Sequence, residues 1–135
     1  MTPLIVVAED DEALGSLIKT KLEHANFTVE WEMTGIGAQS AVLVQKPALA
    51  ILDVALPGLD GLEILDWIKR TPELRHIPVI VITAMVNDAF ARSALSRGAS
   101  DFLVKPFKTA DLLTCVHRVL QSQPGHATEP ISSRP

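Results

Sequence analysis

Four apolar runs in this sequence end on a side chain that can do chemistry. Leu4–Ala8 (LIVVA) runs into Glu9, Asp10, Asp11 and Glu12, Leu49–Leu52 into Asp53, Val79–Ile82 into Thr83, and Phe102–Val104 into Lys105 and Pro106. Carboxylates gathered within a few ångström repel, and one of them takes up a proton unless a cation intervenes. A hard divalent cation relieves that repulsion. Mg²⁺ takes oxygen ligands, needs few protein carboxylates and shares its shell with phosphate and water. A hydroxyl and an ammonium alongside suit the remaining oxygens of a phosphoryl group, whose transfer demands positioning and charge neutralisation. A carboxylate is itself a competent nucleophile and forms an acyl phosphate.

Each group alone has a plainer reading. An acidic run suits a helix N-terminus, where it meets the positive end of the dipole; Thr83 is a good strand residue, and Lys105 reads as a solvated strand end. Asp53 is the hardest to read as structural. It follows Ala50-Ile51-Leu52, and a carboxylate buried without partners is costly. The recurrence at successive strand ends is what points to one site.

For the groups to meet, the runs must be strands of one sheet. LIVVA is continuously apolar, as in a strand buried on both faces. From Asp11 the period changes: Leu14, Leu17, Ile18, Leu22 and Ala25 form one helical stripe. Phe27–Glu32 alternates as a more exposed strand, Gly35–Val44 is a weaker helix stopped by Pro47, and Leu49–Val54 is a third strand. LPGLDG is a turn-rich loop. A helix through Leu62, Leu65 and Ile68 follows, then a β-branched strand over Val79–Ile82. A further helix passes through Phe90, Ala94 and Leu95 to a glycine cap at Gly98. Phe102–Val104 is the fifth strand, and Leu112, Leu113, Val116, Val119 and Leu120 mark the last helix. Strands alternating with helices specify an α/β fold, a doubly wound five-stranded parallel sheet with helices on both faces. Right-handed crossovers leave few topologies, and such a sheet binds ligands outside the carboxyl ends of its strands, which would gather these groups on one rim.

The chain has 135 residues, 47% of them hydrophobic, with a net charge of −4. That length fits one domain. The charge argues against nucleic acid and anionic membrane surfaces as partners. A single cysteine, Cys115, excludes an internal disulfide and reads as a packed thiol. The start lacks the basic and apolar regions of a secretory signal, and the longest apolar stretch, Val79–Val86, is too short to span a bilayer. A cytoplasmic setting is expected. After Gln121 the composition turns to Ser, Pro, Gly and Thr, so the domain is expected over 1–121 and a tail or linker stub over 122–135. His24, His76, His117 and His126 show no metal-ligand spacing. Gly35-Ile36-Gly37 lacks the third glycine of a dinucleotide loop.

The stretches VVAEDDE, ILDVALPGLDG, VIVITA and GASDFLVKPF, in this order, resemble the receiver domains of bacterial two-component response regulators, the CheY-like superfamily. The similarity runs from about Leu4 to Leu120. It implies a flavodoxin-like (βα)5 fold with strand order 2-1-3-4-5. It implies that Asp53 accepts a phosphoryl group from a phosphohistidine on a sensor histidine kinase or histidine phosphotransfer protein. Glu9 and Asp10, with Asp53 and the Ala55 carbonyl, are the implied Mg²⁺ ligands; Asp11 only adds charge. Thr83 and Lys105 are the implied partners of the phosphoryl oxygens, across a cis Lys105-Pro106 peptide. Phe102 matches the aromatic switch position and, with Thr83, would reshape the face of the fourth helix, fifth strand and fifth helix for a downstream protein or a tethered output domain. Such a chain is a signalling phosphoprotein of a phosphorelay rather than an enzyme, catalysing only its own phosphorylation and slow autodephosphorylation. The alternative is a pseudo-receiver that docks without being phosphorylated. A haloacid-dehalogenase-type phosphohydrolase is disfavoured because Ala55 stands where its second Asp belongs.

The sequence departs from the family in two ways. Ala55 and Met85, two residues after Asp53 and Thr83, are apolar where fast-hydrolysing receivers carry polar groups, which predicts a long-lived phosphoryl group. Ala91 and Cys115 replace two basic residues, and Arg97 an acid, in the salt-bridged dimer face of receivers attached to winged-helix domains. Asp101, Asp111 and Arg118 keep some charge there.

Overall fold

The computed structural model describes residues 2–84 and 88–122. Strands and helices alternate: β1 (Leu4–Ala8), α1 (Glu12–His24), β2 (Thr28–Glu32), α2 (Gly35–Gln45), β3 (Leu49–Asp53), α3 (Gly61–Arg70), β4 (Val79–Thr83), α4 (Asp88–Ser96), β5 (Asp101–Val104) and α5 (Thr109–Gln121). All pairings are parallel and the order is β2-β1-β3-β4-β5, as the resemblance implies. β1, β3 and β4 are the inner strands, which explains their apolar runs; every residue of β3 and β4 is buried.

Each face of the sheet has its own core. Ile5, Val7, Leu49, Ile51, Ile80 and Ile82 pack against Ile18 and Leu22 of α1 and Leu112, Val116 and Val119 of α5. The alternate residues Val6, Ala50, Leu52, Val79 and Val81 pack against α2, α3 and α4 through Val42, Ile64, Ile68 and Ala94. Burying a side chain such as Ile64 contributes about 1.5–3 kcal/mol, and the two-sided sheet does this on both faces.

Local signals set the ends. Asp11 caps α1 by accepting from the Leu14 N–H, and Thr34 caps α2 by accepting from that of Gly37. Asp60 and Glu63 close a capping box on α3. Gly98 (φ 106°) ends α4: its N–H donates to Leu95 and that of Ala99 to Ala94, a Schellman arrangement. The corner is tied to α3, where Arg97 pairs with Asp66 at 3.7 Å. Lys69 lies against Gly98 and donates to the carbonyls of Arg75 and Ile77 at 3.0 and 2.8 Å.

Two boundaries move inward from expectation. Phe27 precedes β2, because its N–H still donates to Leu22 at the end of α1. Val54 lies beyond β3, although its N–H reaches the Ile82 carbonyl at 2.9 Å. The weak amphipathicity of α2 has a clear cause: Ala38, Ala41 and Val42 face the core while Ile36, Leu43 and Val44 face outward. The helix carries no charge in its first or last turn. α5 closes at Gln121; of the expected tail, 123–135 lies outside the described residues.

Candidate functional site

In a parallel sheet the carboxyl ends of all strands share one edge. Here β1 delivers Glu9 and Asp10 to that edge, β3 Asp53, β4 Thr83 and β5 Lys105. The registers Ala8↔Leu52, Asp53↔Ile82 and Thr83↔Val104 keep these ends level. By strand alternation Glu9, Asp53 and Lys105 continue the α1/α5 face, whereas Thr83 and Phe102 lie on the α3/α4 face with Val81.

Asp53 is 2% exposed and both carboxylate oxygens are engaged: Oδ1 accepts from the Ala55 N–H at 3.0 Å and Oδ2 from Lys105 Nζ at 2.6 Å. Behind it, the Asp53 carbonyl presses on the start of α3, where a Cβ on Gly61 would lie 2.3 Å from the carbonyl oxygen. Glu9 is fully buried. Its Oε2 accepts from the Asp11 N–H at 3.0 Å and from Lys105 at 3.3 Å. Its Oε1 lies 3.2 Å from Lys105 Nζ but accepts no hydrogen bond among the described residues. Burial pushes the Glu9 carboxyl up to about 7; the Asp11 N–H opposes this, the Asp53 carboxylate adds to it, and Lys105 offsets part. Lys105 is held above the ordinary lysine range, because its bonds to Asp53 and Glu9 outweigh the cost of its burial.

Carboxylate oxygens of Glu9, Asp10 and Asp53 all lie within 4.8 Å of one another. Three acids thus face one ammonium, and one buried oxygen is left without a hydrogen. An all-oxygen donor set with excess negative charge and a spare buried acceptor fits Mg²⁺.

The other expected residues are placed as follows. Thr83 is buried at the end of β4 and its carbonyl accepts from the Lys105 N–H at 2.7 Å. The Lys105-Pro106 peptide is cis. Phe102 is half-buried and packs on the core beneath α3 and α4. Ala55 is exposed, and Met85 lies outside the described residues. Asp11 acts through its backbone and as the α1 cap. On the α5 face, Arg118 pairs with Asp101, and the buried Cys115 thiol donates to the same carboxylate at 3.4 Å. Two structural supports of the rim are not evident in the residue pattern. Trp31 Nε1–H donates to the Glu9 carbonyl at 2.9 Å, and Gly61 admits the Asp53 carbonyl. A lone indole in an edge strand and a glycine opening an amphipathic helix were the available signals.

Comparison with known proteins agrees with the fold. The family described as "Response regulator receiver domain" matches residues 5–117. The Phosphate regulon transcriptional regulatory protein PhoB of Rhizobium meliloti (strain 1021) is 36% identical over 121 residues, covering 90% of this chain and 53% of PhoB. The chain spans about half the length of the curated relatives it matches. Among solved structures, the receiver domain of NtrX from Brucella abortus superposes with a TM-score of 0.80 at 33% identity, over 87% of this chain and 98% of that one. The BeF3-activated N-terminal receiver domain of Klebsiella pneumoniae RstA does so with a TM-score of 0.79 at 30% identity, over 87% and 98%.

Proposed function

The chain belongs to the response regulator receiver domain family, and from that premise we propose that it takes a phosphoryl group onto Asp53 from a phosphohistidine of a partner protein. The observation that carries this reading is the state of Asp53: a buried carboxylate at the end of β3, held by Lys105 at 2.6 Å and by the Ala55 N–H at 3.0 Å within a cluster of three acids. A carboxylate so fixed is aimed rather than free to rotate, and positioning is most of what phosphoryl transfer requires.

In this reading an Asp53 oxygen bonds to phosphorus as the phosphorus–nitrogen bond of the partner's phosphohistidine breaks. Lys105 moves its hydrogen bond from the carboxylate to a phosphoryl oxygen, and Thr83 donates its hydroxyl to another. Glu9, Asp10 and Asp53, with the Ala55 carbonyl, would hold Mg²⁺, which when bound supplies the positive charge that both acids and phosphoryl oxygens need. An aspartyl phosphate adds about two negative charges and three acceptor oxygens. Thr83 and Phe102 share a face of the sheet, so drawing the hydroxyl inward opens space toward which the phenyl ring turns. The equilibrium between two shapes of the α4–β5–α5 face then shifts by the difference in their interaction with the phosphoryl group. The recipient of that change is a downstream protein or a tethered output domain, in a cytoplasmic signalling pathway.

The test is the intact mass of the chain after incubation with acetyl phosphate, with and without Mg²⁺, beside Asp53→Asn. One Mg²⁺-dependent phosphoryl adduct, absent from the variant, is expected. No adduct under any condition would replace this reading with that of an unphosphorylated docking module.

A further inference from the structure

We propose that Trp31 is a positioning residue for the acidic rim: it fixes the Glu9–Asp10 peptide so that the Asp10 carboxylate stands beside those of Glu9 and Asp53. The inference rests on the Mg²⁺ reading above.

The sheet explains why a side chain is needed there. β1 and β2 pair in register as far as Ala8 and Glu32, and the Glu9 N–H extends the ladder to the Glu32 carbonyl at 3.0 Å. A parallel ladder would next bring the Glu9 carbonyl a backbone N–H from two residues beyond Glu32. That residue is Thr34, which has left the strand to cap α2, its hydroxyl accepting from the Gly37 N–H. The indole takes the place of the missing donor, with Nε1–H 2.9 Å from the Glu9 oxygen. α1 holds the ring from the other side: a Cβ on Gly15 would lie 2.2 Å from two of its carbons, so the indole rests on a bare Cα. A glycine in the body of a helix is unfavourable, and this contact accounts for it.

The carboxylates of the rim are not equally secured. Glu9 and Asp53 are each tied to Lys105 and to a backbone N–H. Asp10 is exposed, and among the described residues no hydrogen bond or ion pair holds its carboxylate. Its direction therefore follows from the backbone it leaves, and the peptide joining Glu9 to Asp10 is the one whose carbonyl Trp31 holds. The indole also covers the rim from the β2 side as part of the α1/α5 core. Trp31 thus contributes to the site without contributing a ligand.

Trp31→Phe keeps a ring against Gly15 and removes the N–H. In calorimetric Mg²⁺ titrations of the full chain its Kd should rise about fivefold, the value of one neutral hydrogen bond, with the cooperative melt in EDTA retained. An unchanged Mg²⁺ affinity in the folded variant overturns the proposal alone. No Mg²⁺ uptake by the wild-type chain overturns the metal reading and this proposal with it. A second measurement leaves Trp31 in place and decides the matter if Trp31→Phe does not fold. Trp67→Phe makes Trp31 the sole indole of the two in the sequence. Its emission should shift with the calorimetric midpoint, and emission unmoved through saturation overturns the coupling.

Discussion

Lys105 Nζ lies 2.6 Å from Asp53 Oδ2, and the same ammonium is the only cation paired with Glu9 among the described residues. One side chain from β5 thereby neutralises acids from β1 and β3. Lys105→Ala leaves two buried carboxylates facing each other, and should cost about 1–3 kcal/mol of folding stability in EDTA. Because Mg²⁺ supplies the same kind of charge, much of that loss should return on its addition. Urea titrations with and without Mg²⁺ measure both; a loss that Mg²⁺ does not diminish would contradict a shared role.

Glu9 contributes to the pH response of the metal-free protein. Its carboxyl is raised in the fold from 4.5 to about 7, so the folded state holds this proton more tightly than the unfolded chain does. The resulting stability is fully present below about 4.5 and is lost as pH rises through about 7. Glu9→Gln removes that slope and should melt higher than wild type at pH 8 in EDTA. Melting temperatures across pH 4–9 for the two proteins check this. Parallel curves would mean that Glu9 is not the group that titrates.

Cys115 should be inert in the native state. It is 2% exposed, and burial, with the Asp101 carboxylate second, pushes its thiol up to about 12. The thiolate that attacks iodoacetamide is therefore scarce at pH 8, and alkylation should wait for unfolding. A native rate equal to that of a free thiol would refute the packing described here.

Gly61→Ala places a methyl 2.3 Å from the Asp53 carbonyl oxygen, a backbone atom that cannot swing aside. A cost of about 1–3 kcal/mol is expected from the overpacking. Because the displaced backbone carries the acceptor, phosphoryl uptake should fall together with stability. Full uptake in a destabilised Gly61→Ala would show that the loop absorbs the strain without moving Asp53.

Ala55 is exposed beside Asp53 and offers no polar side chain to an attacking water. The aspartyl phosphate of the wild-type chain should outlast the removal of its donor by minutes or more, and Ala55→Asn should shorten that life. Loss of label within seconds from the wild type would rule out the argument from apolarity.

The fold was legible because its inner strands are buried on both faces. LIVVA, LAILD and VIVIT cannot be amphipathic helices of that length, and the acids, threonine and lysine interrupt apolarity where the rim begins. α2 was harder to read, since Ile36, Leu43 and Val44 on its outer side blur the period that Ala38, Ala41 and Val42 create. What escaped the sequence altogether depends on register between distant segments. Trp31 meets Glu9 across 22 positions, and Lys69 spends its ammonium on the carbonyls of Arg75 and Ile77. Neither partner is marked by any local pattern.

The outer stripe of α2 has a consequence for handling the protein. Ile36 is 66% and Val44 71% exposed, on a helix whose own residues, Gly35–Gln45, include no charged side chain to keep neighbouring molecules apart. Colloidal stability then falls to the net charge of −4 carried elsewhere. That repulsion is screened beyond about 8 Å at physiological ionic strength. Concentrated stocks should stay dispersed in dilute buffer and scatter more light as salt is added.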